Sequence, residues 1–72
     1  MKKIKKIKIK INGKVNLVDV GTKLSNLIKR LKIPIKKVAI ELNQEIIDKR
    51  NINRIILKKN DYIEIVHFIG GG

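Results

Sequence analysis

The sequence predicts an α+β domain in which one helix lies across a mixed sheet of four to five strands. Three observations predict it: a strictly alternating segment closed by Asn-Gly, a single stretch of helical spacing halted by a proline, and two later extended segments. In the first, Lys6-Ile7-Lys8-Ile9-Lys10-Ile11 puts Ile7, Ile9 and Ile11 on one face and the lysines on the other, which is a half-buried antiparallel strand. Lysines on an open face also discourage edge-to-edge aggregation. Asn12-Gly13 follows, and both central positions of a type I′ turn want positive φ, so a hairpin is expected. Lys14 to Val20 returns as the second strand, with Val15 and Leu17 on one face.

From Thr22 the spacing changes. Leu24, Leu27, Ile28 and Leu31 fall on one helical stripe, with Lys23, Lys29, Arg30 and Lys32 outside it. Thr22 is the expected N-cap, and the basic last turn complements the helix dipole. Pro34 ends a helix of about ten residues. Val38 to Asn43 reads as a third strand, Asn43-Gln44-Glu45 as a turn, and Ile46-Ile47 as a short fourth strand. Asp48 to Arg54 is polar and irregular, a loop or a 3₁₀ turn. Ile55-Ile56-Leu57 is a brief strand or loop edge, Lys59-Asn60-Asp61 a turn, and Tyr62 to Ile69 the last strand. Within it Ile63, Ile65, His67 and Ile69 share one face; Tyr62, Glu64, Val66 and Phe68 share the other.

Size bounds what such a chain can do. At 72 residues it is one domain, read as residues 1–69 followed by a flexible glycine tail at 70–72. A domain of this size buries only about 60% of its surface, enough for one thin core and not for an enclosed active site with its supporting shell. Cysteine is absent, which excludes disulfides, thiolate metal sites and a cysteine nucleophile, and the single histidine, His67, builds no metal site alone. His67 is read as a rim or structural residue rather than a catalyst, and Glu41 and Glu45, which sit across a strand and a turn, do not form an acid/base pair. Apolar runs reach three residues, far short of a membrane span, and no apolar run follows the basic N-terminus as a signal peptide needs. No membrane association is expected, a cytoplasmic location is the default, and the free protein is expected to be a monomer.

The net charge is +12, from eighteen Lys and Arg against six Asp and Glu. Such a balance attracts acidic partners or nucleic acid through its field. Fifteen of the eighteen cations are lysine, however, and the Ile, Lys and Asn enrichment resembles AT-rich coding bias or a heat-adapted surface. With three arginines, one Tyr and one Phe, a stacking platform for RNA is poorly supplied, so nucleic-acid binding is not expected.

Gly70-Gly71-Gly72 is the most informative feature. No helix follows to make it a phosphate loop. A tail without side chains can instead thread a narrow tunnel into another protein's active site and present its α-carboxylate there. A carboxylate is a poor electrophile, and adenylation by ATP gives it a good leaving group. The stretches Val38 to Ile47 and Asp61 to Gly72 resemble the ThiS family, sulfur carriers of thiamine biosynthesis. The resemblance implies the β-grasp (ubiquitin-like) fold and a protein co-substrate rather than an enzyme. It implies that Gly72 carries the chemistry: its carboxylate is adenylated by an E1-like enzyme of the ThiF type and converted to a thiocarboxylate, with sulfur commonly from a cysteine desulfurase. The sulfur then passes to thiazole synthase of the ThiG type. Gly71 completes the family's terminal diglycine and Gly70 extends it. No bound cofactor or metal is implied; ATP belongs to the activating enzyme. Gln44 stands where many members have Gly, and Asp48-Lys49-Arg50 replaces a common Pro-Arg, both in loops. If the isoleucines of the last strand face the core, Val66 and Phe68 are left as docking anchors for that enzyme. The small subunit of molybdopterin synthase, another β-grasp carrier or modifier and, from a different class, a basic RNA-binding module resembling a TGS domain are the alternatives.

Overall fold

The structure, a computed structural model, describes residues 5–68. Its first two strands, β1 (Lys6–Ile11) and β2 (Lys14–Asp19), form the expected hairpin, with Ile11 opposite Lys14 and Ile7 opposite Val18. Asn12 and Gly13 have φ of 49° and 83°, the left-handed pair that a type I′ turn demands. Helix α1 (Leu24–Arg30) follows, then a 3₁₀ turn over Ile35–Lys37, strands β3 (Val38–Leu42) and β4 (Glu45–Ile46), a second 3₁₀ segment over Lys49–Arg54, and β5 (Tyr62–His67). The five strands make one mixed sheet in the order β2-β1-β5-β3-β4, as the β-grasp resemblance implied. β1 and β5 run parallel at its centre and the other pairings are antiparallel.

One face of the sheet is covered. Ile9, Val38, Ile40, Ile63 and Ile65 point from it into a core closed by Leu24, Leu27 and Ile28 of α1, with Val18 and Leu57 beside them. Full burial of side chains this size contributes about 1.5–3 kcal/mol each, so a core of ten such residues is what holds so small a domain against chain entropy.

Several local expectations are corrected. The helix has seven residues, and Lys23, not Thr22, is its N-cap; the Lys23 amide donates to Asn26 Oδ1 at 3.0 Å. Thr22 is diverted because its carbonyl accepts the Leu57 amide, part of a bridge that pairs Lys23 with Ile56. The helix stops one residue before Leu31, which is exposed, because Lys32 turns left-handed at φ 56°. β4 is Glu45–Ile46 rather than Ile46-Ile47, since the Asn43-Gln44 turn has only two residues, both left-handed. β5 leaves the ladder at His67, short of Ile69, which lies outside the described residues. Val15 and Leu17 do share a face of β2, and it is the outward one; Asn16 and Val18 are the inward pair.

β5 is gripped from both sides by asparagines. Asn12 donates its side-chain amide to the Ile65 carbonyl at 3.2 Å, while its Oδ1 accepts the Ile65 N–H at 2.7 Å. The side chain thereby imitates a strand residue after β1 has ended. On the opposite flank Asn43 Oδ1 accepts the Tyr62 N–H at 2.9 Å, and Asn43 Nδ2 donates to Asp61 at 3.0 Å. Asp61 is buried, and its second carboxyl oxygen accepts the Lys58 amide at 2.7 Å, which closes the turn before β5.

Asn12→Gly keeps the backbone conformation and removes only the amide, so it is expected to cost about 1–2 kcal/mol. Asn12→Ala should cost more, because Ala resists the left-handed φ as well. Chemical denaturation measures both, and faster exchange of the Ile65 amide should accompany them; unchanged midpoints would show that the bridge contributes nothing. At Asp48, the side-chain hydrogen bonds of Arg50, then the Arg50 amide, hold the exposed carboxyl down at about 2 against an ordinary 3.8. A depressed carboxylate stabilises the fold above its unfolded value, so that contribution should vanish as pH falls from about 4 to about 2. A ¹³C carboxyl titration should place Asp48 near the lower limit and Arg50→Ala should return it toward 3.8; a midpoint already normal in the wild type would remove the pairing.

Candidate functional site

Strand alternation decides what the uncovered face of the sheet presents. With Ile63 and Ile65 inward, Tyr62, Glu64 and Val66 face outward along β5. β3 adds Ala39 opposite Val66 and Glu41 opposite Glu64, and β4 adds Ile46 opposite Glu41. Val66 is 53% exposed, Phe68 48% and Ile46 78%, values that no core residue approaches. Neighbouring Asn43, Gln44, Tyr62 and Glu64 line a shallow depression of about 460 Å³. The face is therefore an apolar border around two carboxylates that oppose each other directly, a pairing that destabilises a sheet when both are ionised. None of Glu41, Glu45 and Glu64 makes an ion pair among the described residues, where the only two are Lys6–Asp19 and Arg50–Asp48.

Phe68 lies just beyond β5, yet its position is fixed. Its N–H donates to the Lys37 carbonyl at 2.9 Å, and the Lys49 ammonium sits 5.1 Å from its ring centroid. Phe68 thus stands outside the core cluster, against a charged side chain that solvent can replace. Both residues predicted as anchors, Val66 and Phe68, are exposed. The remaining predicted site residues, Gly70, Gly71 and Gly72, lie outside the described residues. His67 pairs across from Val38 and is exposed at the end of the strand.

Sequence reading placed Tyr62 on this face with Glu64, Val66 and Phe68, and missed Ile46 as a member and Val15 and Leu17 at its far side. The signal was available: parity counted outward from Ile7, Ile9 and Ile11 through each strand pairing assigns every one of them, once the turn lengths are known.

Phe68→Ala should cost under about 1 kcal/mol of stability, since an exposed cation–π contact supplies about 0.5–1 kcal/mol and little other packing is lost. A double-mutant cycle with Lys49→Ala should return a coupling of that size in denaturation midpoints. Additive losses would dissolve the stack.

The profile of the ThiS family matches residues 5–72. The chain is 43% identical over 54 residues to the sulfur carrier protein ThiS of Bacillus subtilis, a match that covers 75% of this chain and 80% of that protein. It is 38% identical over 66 residues to a thiazole synthase of Magnetococcus marinus, covering 92% of this chain and 20% of that protein, and a thiazole synthase of Paramagnetospirillum magneticum matches over the same share. The chain thus spans about a fifth of the length of those thiazole synthases. Among solved structures, the crystal structure of the thiamine biosynthesis protein ThiS from Geobacter metallireducens superposes with a TM-score of 0.79 at 29% identity, covering 92% of this chain and all of that one.

Proposed function

The chain belongs to the ThiS family, and on that premise we propose that it is a sulfur carrier of thiamine biosynthesis whose reactive group is the Gly72 α-carboxylate. The observation that carries this is the family match itself, which runs from the first strand through Gly72. It supports the thiamine pathway over the molybdopterin alternative that the relatives named above are thiazole synthases and ThiS proteins.

In this reading the protein is a co-substrate. An E1-like enzyme of the ThiF type joins the carboxylate to the α-phosphate of ATP and releases pyrophosphate. Sulfur leaves a cysteine desulfurase as a persulfide; a thiol reduces it to sulfide, with a disulfide as the other product, and the sulfide attacks the acyl carbon, the C–S bond forming as the C–O bond to AMP breaks. The resulting thiocarboxylate hands its sulfur to a thiazole synthase of the ThiG type. That two thiazole synthases contain a segment similar to nearly this whole chain supports such a pairing, because fusion places carrier and acceptor at high effective concentration. The domain's own contribution is a rigid handle: β5 leads to the glycines, and Val66 and Phe68 offer the activating enzyme apolar anchors beside their root.

Incubation with ATP, a ThiF-type enzyme and sulfide should add the mass of one sulfur less one oxygen, localised to Gly72 in the intact-protein spectrum. Removal of Gly71 and Gly72 should abolish that gain and leave the folded amide spectrum intact. No gain, with an enzyme that activates a control carrier, would defeat the reading. Phe68→Ala should raise the KM for activation about tenfold, about 1.4 kcal/mol of lost docking, with kcat little changed; an unaltered KM would return Phe68 to local packing.

A further inference from the structure

The hairpin half of the open face carries exposed aliphatic side chains, Val15 and Leu17, that neither folding nor solubility requires. β2 carries apolar residues on both faces: Val18 is buried inward and Asn16 lies inward opposite Ile9, while Val15 and Leu17 point outward, 57% and 59% exposed. Directly across from them on β1 are Lys10 and Lys8, both exposed and neither ion-paired among the described residues; Lys6 is neutralised by Asp19 at 2.7 Å. Tyr62 continues the row beside Lys10, and its hydroxyl reaches over the hairpin turn to within 3.9 Å of where a Gly13 side chain would begin. Lysines alternating with exposed aliphatics across two strands form a patch with an apolar floor and cationic posts. A solvated face would carry polar residues at 15 and 17. A phosphate track would also have no use for Val15 and Leu17, and it would want arginine and more than one aromatic ring.

We propose that Lys8, Lys10, Val15 and Leu17, with Tyr62, form a second protein-docking surface on the sheet, one that receives a patch of carboxylates set among apolar side chains on the activating enzyme. The proposal rests on the carrier reading for the identity of that enzyme and on charge complementarity for its chemistry. A second copy of this chain is the wrong occupant, because two bodies of +12 repel. The surface is separate from the Val66 and Phe68 anchors: Tyr62 opens β5 beside Lys10, whereas Val66 and Phe68 lie at its far end near the glycines. Two contacts at opposite ends of one sheet face fix the orientation of the handle as well as its position, and the cationic one accelerates encounter with an acidic partner.

The test is binding of the full chain to a purified ThiF-type enzyme without ATP, by calorimetry, followed by pyrophosphate exchange on the same proteins. Lys8→Glu with Lys10→Glu should weaken binding at least about tenfold, and Leu17→Ser severalfold, with wild-type affinity falling between 50 and 500 mM salt, on the order of the drop in screening length. All of these positions are exposed, and a dispersed amide spectrum confirms that each variant folds. Equal affinity for every variant overturns the inference while adenylation of the wild type preserves the carrier reading. Charge-dependent binding without adenylation does the reverse. Absence of binding overturns both. Retention on a 12-mer of oligouridine that the lysine reversals abolish and Leu17→Ser leaves alone, with enzyme binding untouched, reassigns the patch to polyanions and overturns it as well.

Discussion

The two asparagine clamps on β5 are the constraint on which the rest depends. β5 is the last strand to be made and sits between the first and the third, so its pairing to β1 closes contacts between sequence ends. The paired stretch of that parallel contact is short, Lys10 with Tyr62 and Ile11 with Ile63, before β1 turns away into its hairpin. Without Asn12 the Ile65 N–H and carbonyl would face the turn unpartnered on that side. A side-chain amide presents one donor and one acceptor at nearly the spacing of a peptide group, so Asn12, whose own N–H makes the last backbone bond of this ladder to the Ile63 carbonyl at 2.9 Å, extends it by one more pair through its side chain. Asn also tolerates the left-handed φ of 49° that the turn imposes. One residue thus meets two demands that are usually divided.

Charge is distributed with the same economy. The lysines of β1 take only outward positions, so the net charge of +12 burdens the surface and leaves the core apolar. The acidic residues divide by what they contact. Asp19 and Asp48 pair with neighbouring cations, Asp61 folds a turn by accepting backbone and asparagine donors, and Glu41 and Glu64 oppose each other on the open face. That face is therefore polarised, cationic at the hairpin and anionic between β3 and β5. A polarised face is a poor template for stacking at random and a good one for a partner whose own charges match the order.

What was legible in the sequence was local. Asn12-Gly13, the alternation of β1 and the helical stripe at Leu24, Leu27 and Ile28 each state their structure within a few residues. The errors fall where a distant partner intervenes. Thr22 reads as the N-cap because nothing nearby competes for it; the competitor is Leu57, thirty-five positions along. Gln44 reads as ordinary loop, yet the turn is type I′ with Gln44 at φ 72°, which moves β4 forward by one residue. The outward facing of Val15 and Leu17 could not be read from β2 alone, since its alternation fits either face until the register against Ile7 and Ile9 is known. Val66 and Phe68 were legible because β5 and its continuation carry three isoleucines of one parity, Ile63, Ile65 and Ile69, which force the other parity outward.

Under the carrier reading, this geometry also accounts for where the handle ends. At the last described residue, Phe68, the N–H lies on the Lys37 carbonyl and the Lys49 ammonium over the ring. Four residues lead from Phe68 to the Gly72 carboxylate, and an extended chain spans at most about 3.3–3.6 Å per residue, so the reactive carbon can reach roughly 14 Å beyond the anchor. A docked sheet face therefore restricts the carboxylate to a small volume within the partner, and glycine at the last three positions keeps the passage free of side chains. Loosening Phe68 enlarges that volume and weakens orientation before it weakens the fold, because Phe68 stands outside the core cluster.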